Sequence, residues 1–259
     1  MMMTFRLDHV IIAVHDLDTA MADYRALGFT VFYGGRHASG TTHNALVCFQ
    51  DGCYLELLAL TGDPRSDDHA ADFSGLVQSG EGLAGYALLV DDLEAAIPGL
   101  QERGVQVGAV VPGQRNRTDG VVMRWLTASI AGGMSPFLIE DETPRNLRVP
   151  DTPDKTQHAN GVVGITGLDV LVPALDSATI NGYTALLGVS PWRSTAQMTI
   201  FLLLGAKLRL IPAVTPDLQA YLARGKTPLH SLTLLGNTPR QVDPAAACGV
   251  SLRIEAALA

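Results

Sequence analysis

From Leu7 to Val14 nearly every position is apolar, with Leu7, His9, Ile11 and Ala13 on one face of an extended chain and Asp8, Val10, Ile12 and Val14 on the other. Such a run predicts a strand covered on both sides. Asp16 or Asp18 can cap the helix that follows, whose Leu17, Ala20, Met21, Tyr24 and Leu27 recur at spacings of three and four, and Gly28 suits its left-handed stop. A strand at Phe29 to Tyr33 comes next, followed by a polar loop from Gly34 to Gly40. Two further runs, His43 to Phe49 and Tyr54 to Leu60, are joined by the turn signal Asp51-Gly52. The unit reads βαβββ.

The same pattern returns without a gap: Val10 to Val31 aligns with Tyr86 to Val107 at a constant offset of 76. A period of this size marks a structural unit that was duplicated and packed against its copy. The second copy starts at Gly82, with later strands at Val121 to Ser129 and Pro136 to Glu140. Between them, Val110 to Gly120 reads as an exposed loop. Fainter echoes follow. Leu171 to Asp176 resembles Ala13 to Asp18, strands are expected at Met198 to Leu204 and Lys207 to Pro212, and Pro228 to Leu235 opens a fourth, truncated unit. The proline- and charge-rich stretch before them reads as a connector. The expected organisation is a paired domain over 1–145, a linker over 146–160 and an incomplete second half over 161–259. The fold class is α+β, with repeated units forming a curved mixed sheet around a groove, and open sheet edges make a homodimer the expected assembly.

Composition narrows the partners. A net charge of −8 without basic clusters argues against nucleic acid and acidic membrane surfaces, leaving a small-molecule ligand. No apolar run approaches the roughly 20 residues of a membrane-spanning helix, and the first residues lead straight into a strand without a signal peptide, so a cytoplasmic location is expected. Three cysteines without a CxxC pair indicate reduced thiols rather than a disulfide framework or structural zinc.

The chemistry-bearing residues sit in the repeats. His9 lies in the first strand, where the second copy has Gly85. Glu56 lies inside Tyr54-Leu55-Glu56-Leu57-Leu58, where an unpartnered carboxylate costs several kcal/mol. If Asp51-Gly52 is a two-residue turn, Gln50 faces Cys53 and Glu56 faces Val47. His43 then shares the face of Glu56 but lies about 13 Å along the strand. His43 and Asn44 are accordingly placed at the mouth of the groove, as substrate contacts or as support for the Gly34 to Gly40 loop. Arg124 and Trp125 are a second such pair, while Arg115, Arg117 and His37 read as solvated loop residues. His230 and Glu255 echo the first pair at too short a spacing and read as structural.

Leu7-Asp8-His9-Val10 with Asp16-Leu17-Asp18, Gly35-Arg36-His37, Gly40 to Leu46, Tyr54-Leu55-Glu56-Leu57 and Pro136 to Glu140 together resemble the glyoxalase-like domain proteins. These belong to the vicinal-oxygen-chelate superfamily, with glyoxalase I, extradiol dioxygenases and bleomycin-resistance proteins. The resemblance implies metal-ligand positions on the first and fourth strands of each unit, held here by His9, Glu56, Gly85 and Glu140. It thus implies a divalent metal (Fe, Mn, Ni, Zn or Co) on His9 and Glu56, with Glu140 as ligand or general base. The reaction expected is lyase or isomerase chemistry on a small oxygen-bearing molecule. The alternative is a non-catalytic binding or resistance protein with a degenerate metal site, in which His9 is a hydrogen-bonded core residue.

Overall fold

The computed structural model describes residues 5–62, 73–78, 80–117, 119–131, 136–224 and 227–256. The first unit runs β1 (Arg6–Ala13), α1 (Leu17–Ala26), β2 (Phe32–His37), β3 (Thr42–Cys48) and β4 (Tyr54–Leu60). A short helix, α2 (Ser74–Gln78), leads to the second: β5 (Gly82–Leu89), α3 (Leu93–Glu102), β6 (Val107–Asn116), β7 (Val122–Ile130) and β8 (Pro136–Asp141). The duplication is visible in the caps. Asp16 accepts the Thr19 N–H and Asp92 accepts the Ala95 N–H, each satisfying an orphan donor of its helix.

The two copies join along both edges, β1 antiparallel to β5 and β2 antiparallel to β6, so the curved sheet closes into an eight-stranded barrel of order β1-β4-β3-β2-β6-β7-β8-β5. Two segments expected as loops build this closure. Gly34 to His37 belong to β2, and Val110 to Asn116 belong to β6, pairing through Arg36 with Asn116 and His37 with Arg115.

The connecting segment holds α4 (Arg145–Arg148) and α5 (Pro153–Thr156), and it buries Arg148, Val149 and Thr156. Beyond it come β9 (Gly164–Val172), α6 (Ser177–Leu187), β10 (Arg193–Ser194), β11 (Thr199–Leu202), β12 (Lys207–Pro212), α7 (Pro216–Ala223), β13 (Leu229–Gly236), β14 (Arg240–Val242), a 3-10 turn (Pro244–Ala247) and β15 (Ser251–Ala256). They form a seven-stranded sheet of order β10-β11-β12-β9-β13-β15-β14. Its centre repeats the barrel's grammar: β9 is parallel to β12 and antiparallel to β13, as β1 is to β4 and β5. Among the described residues no long helix follows β13, so the last unit is the abbreviated one.

One continuous apolar core lies between the barrel's outer face and the second sheet. Val10, Ile12, Leu55, Leu57 and Leu88 belong to it together with Ile165, Leu168, Val170, Leu232 and Leu234. Each such side chain contributes about 1.5–3 kcal/mol when fully buried. The barrel interior has its own smaller clusters, including Ile11, Ala13 and Leu58 at one place and Met123, Trp125 and Ile139 at another.

Candidate functional site

β1 does not alternate regularly. Leu7 pairs with Leu88 and His9 with Ala87, so Asp8 is an extra residue opposite a single step of β5, a β-bulge. Leu7 therefore joins Val10 and Ile12 in the outer core, and Asp8 accompanies His9 on the interior side. Asp8 is 0% exposed and His9 2%. The Nδ1–H of His9 donates to Asp8 Oδ1 at 2.5 Å, which points Nε2 at Glu56 Oε2, 3.3 Å away. Tyr54 stacks on the imidazole at 4.6 Å between ring centres.

The hairpin between β3 and β4 closes by three residues, Gln50-Asp51-Gly52, and not by two. Phe49 N–H donates to the Cys53 carbonyl at 2.9 Å, and Gly52 takes a φ of +81° that its missing Cβ permits. The register consequently moves by one residue: Leu46 faces Glu56 and Cys48 faces Tyr54. A one-residue slip exchanges the two faces of a strand. Asn44 is thereby brought inside, where its Nδ2 donates to Glu56 Oε1 at 2.5 Å. His43, expected beside the groove, points out of the barrel and packs edge-on against Tyr33 at 6.1 Å.

The strands read as loops supply the other side of the site. His37, expected in solvent, is buried with its Nε2 3.6 Å from Glu56 Oε1 and its Nδ1 2.8 Å from Thr42 Oγ1. Arg115, also expected in solvent, is 4% exposed and donates from Nη1 to Asn44 Oδ1 at 2.8 Å and from Nη2 to the Arg148 carbonyl at 3.3 Å. Its path needs Gly34, where a Cβ would lie 2.2 Å from Asn44 Oδ1 and 2.7 Å from Arg115 Nη1. On β7 the alternation separates the expected pair: Trp125 lines the interior and Arg124 is exposed.

Glu140, expected beside His9 and Glu56, lies apart from them. On β8 its neighbour Ile139 faces the interior, so Glu140 faces out, and its Oε2 accepts the Leu93 N–H at 2.7 Å at the N-terminus of α3. It caps a helix and does not meet the His9–Glu56 pair. His230 and Glu255 lie on the second sheet, His230 stacked on Tyr221 and Glu255 paired with Arg253.

Five residues outside the expected site, Asp8, Tyr54, Asp141, Arg145 and Arg148, hold His9 in place. Arg148 grips Asp8 with two bonds of 2.9 Å, donates to the Tyr54 hydroxyl at 2.8 Å, and pairs with Asp141. Arg145 bridges the same two carboxylates. The only prior signal was Asp8 itself, a carboxylate inside an apolar strand. Which cations would meet it depends on contacts nearly 140 residues away in sequence.

Burial works against every charge in this cluster, and the partners decide the outcome. Burial raises the Asp8 pKa, but the Arg148 charge and the bonds from His9 and Arg148 carry it well below the usual carboxylate range. Burial lowers that of His9, but the hydrogen bonds and charges of Asp8 and Glu56 more than offset this and raise it. Glu56 falls to about 2, because the His9 hydrogen bond and charge, the His37 charge and Asn44 outweigh burial. Burial takes His37 down to about 4, with Glu56 opposing, and lowers Arg115 too. The site thus combines an imidazole between two carboxylates that favour its protonated form, a second imidazole that burial keeps neutral, and a buried guanidinium. They surround a cavity of about 20 Å³, room for about one water, which Phe73, Phe137 and Ile139 also line.

A metal centre on the four implied positions does not fit. The second unit offers Gly85 without a side chain, Ile139 facing in and Glu140 facing out, and His9 Nε2 already faces Glu56 within ion-pairing distance. Among the described residues no three His, Cys, Asp or Glu side chains are grouped to hold an ion.

Paired βαβββ units closed into a barrel, with a buried polar centre on the first strand and its parallel neighbour, define a protein of the vicinal-oxygen-chelate superfamily. Within it the chain belongs to the glyoxalase-like domain family, whose pattern it matches over residues 7–187. No curated protein matches it. Among solved structures, a hypothetical protein from Staphylococcus aureus is similar with a TM-score of 0.77 at 18% identity, over 98% of this chain and 100% of that one. A triple mutant of 4-hydroxymandelate synthase from Streptomyces coelicolor is similar with a TM-score of 0.59 at 14% identity, over 93% of this chain and 78% of that one. At these identities the likeness concerns the fold.

Proposed function

We propose that the protein binds a small oxygen-bearing molecule, as its anion, beside the His9–Glu56 pair, without a resident metal. Arg115 carries this reading. Removing a guanidinium from water costs several kcal/mol unless a counter-charge meets it, yet no carboxylate among the described residues lies within ion-pairing distance of Arg115. Its hydrogen bonds go to an amide oxygen, a backbone carbonyl and, at 3.7 Å, the Met123 sulfur, and its buried Nε has no partner. A ligand oxyanion supplies what this cation lacks. His9, whose protonated form Asp8 and Glu56 favour, holds a proton at Nε2 beside Glu56, where a ligand oxygen entering the chamber would compete with that carboxylate for it. That pair suits isomerisation or elimination, the chemistry expected from the sequence. The metal dependence expected with it has two of its four ligand positions in support.

The test is ligand-observed NMR titration of propionate and its neutral analogue propionamide, with metal analysis of protein purified without chelator. Propionate should bind, propionamide should bind at least about tenfold more weakly, and Arg115→Met should remove the difference. A stoichiometric divalent metal, lost in His9→Ala, would overturn the reading in favour of a metal-dependent enzyme.

A further inference from the structure

Next to the small chamber lies a much larger cleft, about 460 Å³, and the two spaces share Arg115 and Arg148 in their walls. One wall is Phe32 and Leu46 from β2 and β3. The other is the connecting segment, with Asn146, Leu147 and Pro150. The size falls within the range of pockets that take drug-sized organic molecules, whereas the inner chamber admits about one water. Any ligand of more than a few atoms that reaches Arg115 must therefore keep most of its body in the cleft.

Charge and polarity specify that body. Other cations on the cleft wall are already paired, Arg148 with Asp8 and Asp141, Arg117 with Asp119 and Lys155 with Asp154, whose ammonium also lies 5.2 Å from the centre of the Phe32 ring. Arg115, at the junction, is the wall cation without a carboxylate among the described residues. Beyond it Phe32, Leu46, Leu147 and Pro150 present apolar surface. We infer that the ligand is an organic monocarboxylate with an apolar or aromatic body: its carboxylate sits on Arg115 at the junction, and its body lies in the cleft between β2–β3 and the connecting segment. This rests on the anion-binding reading above and adds to it a second subsite and a ligand class.

The experiment compares propionate with 3-phenylpropionate, which share a carboxylate and differ in the body, by the same NMR titration. The phenyl compound should bind at least about tenfold more tightly, which is about 1.4 kcal/mol. Asn146→Trp, a substitution at an exposed position of α4 that fills the cleft, should bring it down to the affinity of propionate, with circular dichroism verifying the fold. Arg115→Met should weaken both. Propionate binding that depends on Arg115, with no gain from the phenyl group or no effect of Asn146→Trp, would overturn the cleft subsite and leave the anion site standing. Binding of neither acid, or of both regardless of Arg115, would overturn the two together.

Discussion

His37 shows burial, aided by the charges of Arg115, His9 and His43, deciding the titration of a side chain. Its neighbours in the barrel include the Glu56 carboxylate, which favours the imidazolium, but burial outweighs that attraction and the pKa falls to about 4. In the unfolded chain the same imidazole titrates near 6.5. Between these values the unfolded state binds the additional proton, so the contribution of His37 to stability is complete above about pH 6.5 and erodes as the pH falls toward 4. At about 1.4 kcal/mol per unit, wild-type protein should lose about 2 kcal/mol more than His37→Asn between pH 6.5 and pH 5. Urea unfolding at the two pH values measures this, and parallel losses in the two proteins would contradict it. His9, on the same interior surface, has a raised pKa, because its proton is shared between two carboxylates. It contributes stability at low pH that is lost as the pH rises through its folded pKa. Two imidazoles close together thus respond to pH in opposite senses.

The elements show where sequence reading reaches its limit. The βαβββ repeat, the Asp caps and the pair His9 and Glu56 were legible, because each is written in local periodicity or in a polar residue placed inside an apolar strand. The rest of the site depends on two irregularities of one residue each. An Asp51-Gly52 signal is shared by two-residue and three-residue turns, and the choice between them decided whether His43 or Asn44 faced inward. The bulge at Asp8 leaves no trace in the alternation that precedes and follows it. Likewise the glycines of Gly34-Gly35 look like a loop, yet they give Arg115 room beside Asn44. Since the turn fixes the register, Gly52 is a sensitive position. Its φ of +81° is strained for any L side chain, and an added Cβ would lie 2.8 Å from an Arg6 nitrogen. Gly52→Ala should cost about 1–2 kcal/mol in chemical denaturation. An unchanged midpoint would mean that the loop relaxes freely.

At the scale of the whole molecule, the apolar core is shared between barrel and second sheet, and backbone bonds stitch them as well, from Gln50 to Val163 and from Leu204 to Phe5. We expect the two to unfold together. The two tryptophans report on them separately, Trp125 inside the barrel and Trp192 beside β10 on the second sheet. Trp192→Phe and Trp125→Phe proteins, each followed by the fluorescence of the remaining indole, should show coincident thermal midpoints, and a gap of several degrees would establish independent units. The sheets differ in how they end. The barrel closes between β2 and β6 through two residue pairs, Arg36 with Asn116 and His37 with Arg115, and the second sheet terminates in β10 and β14, only two and three residues long. A second copy of the chain meets almost no free backbone N–H or C=O ladder there, which guards against runaway strand addition. At the second sheet, a homodimer of the kind expected from open edges would therefore rest on side chains and not on a sheet continued from one molecule into the next.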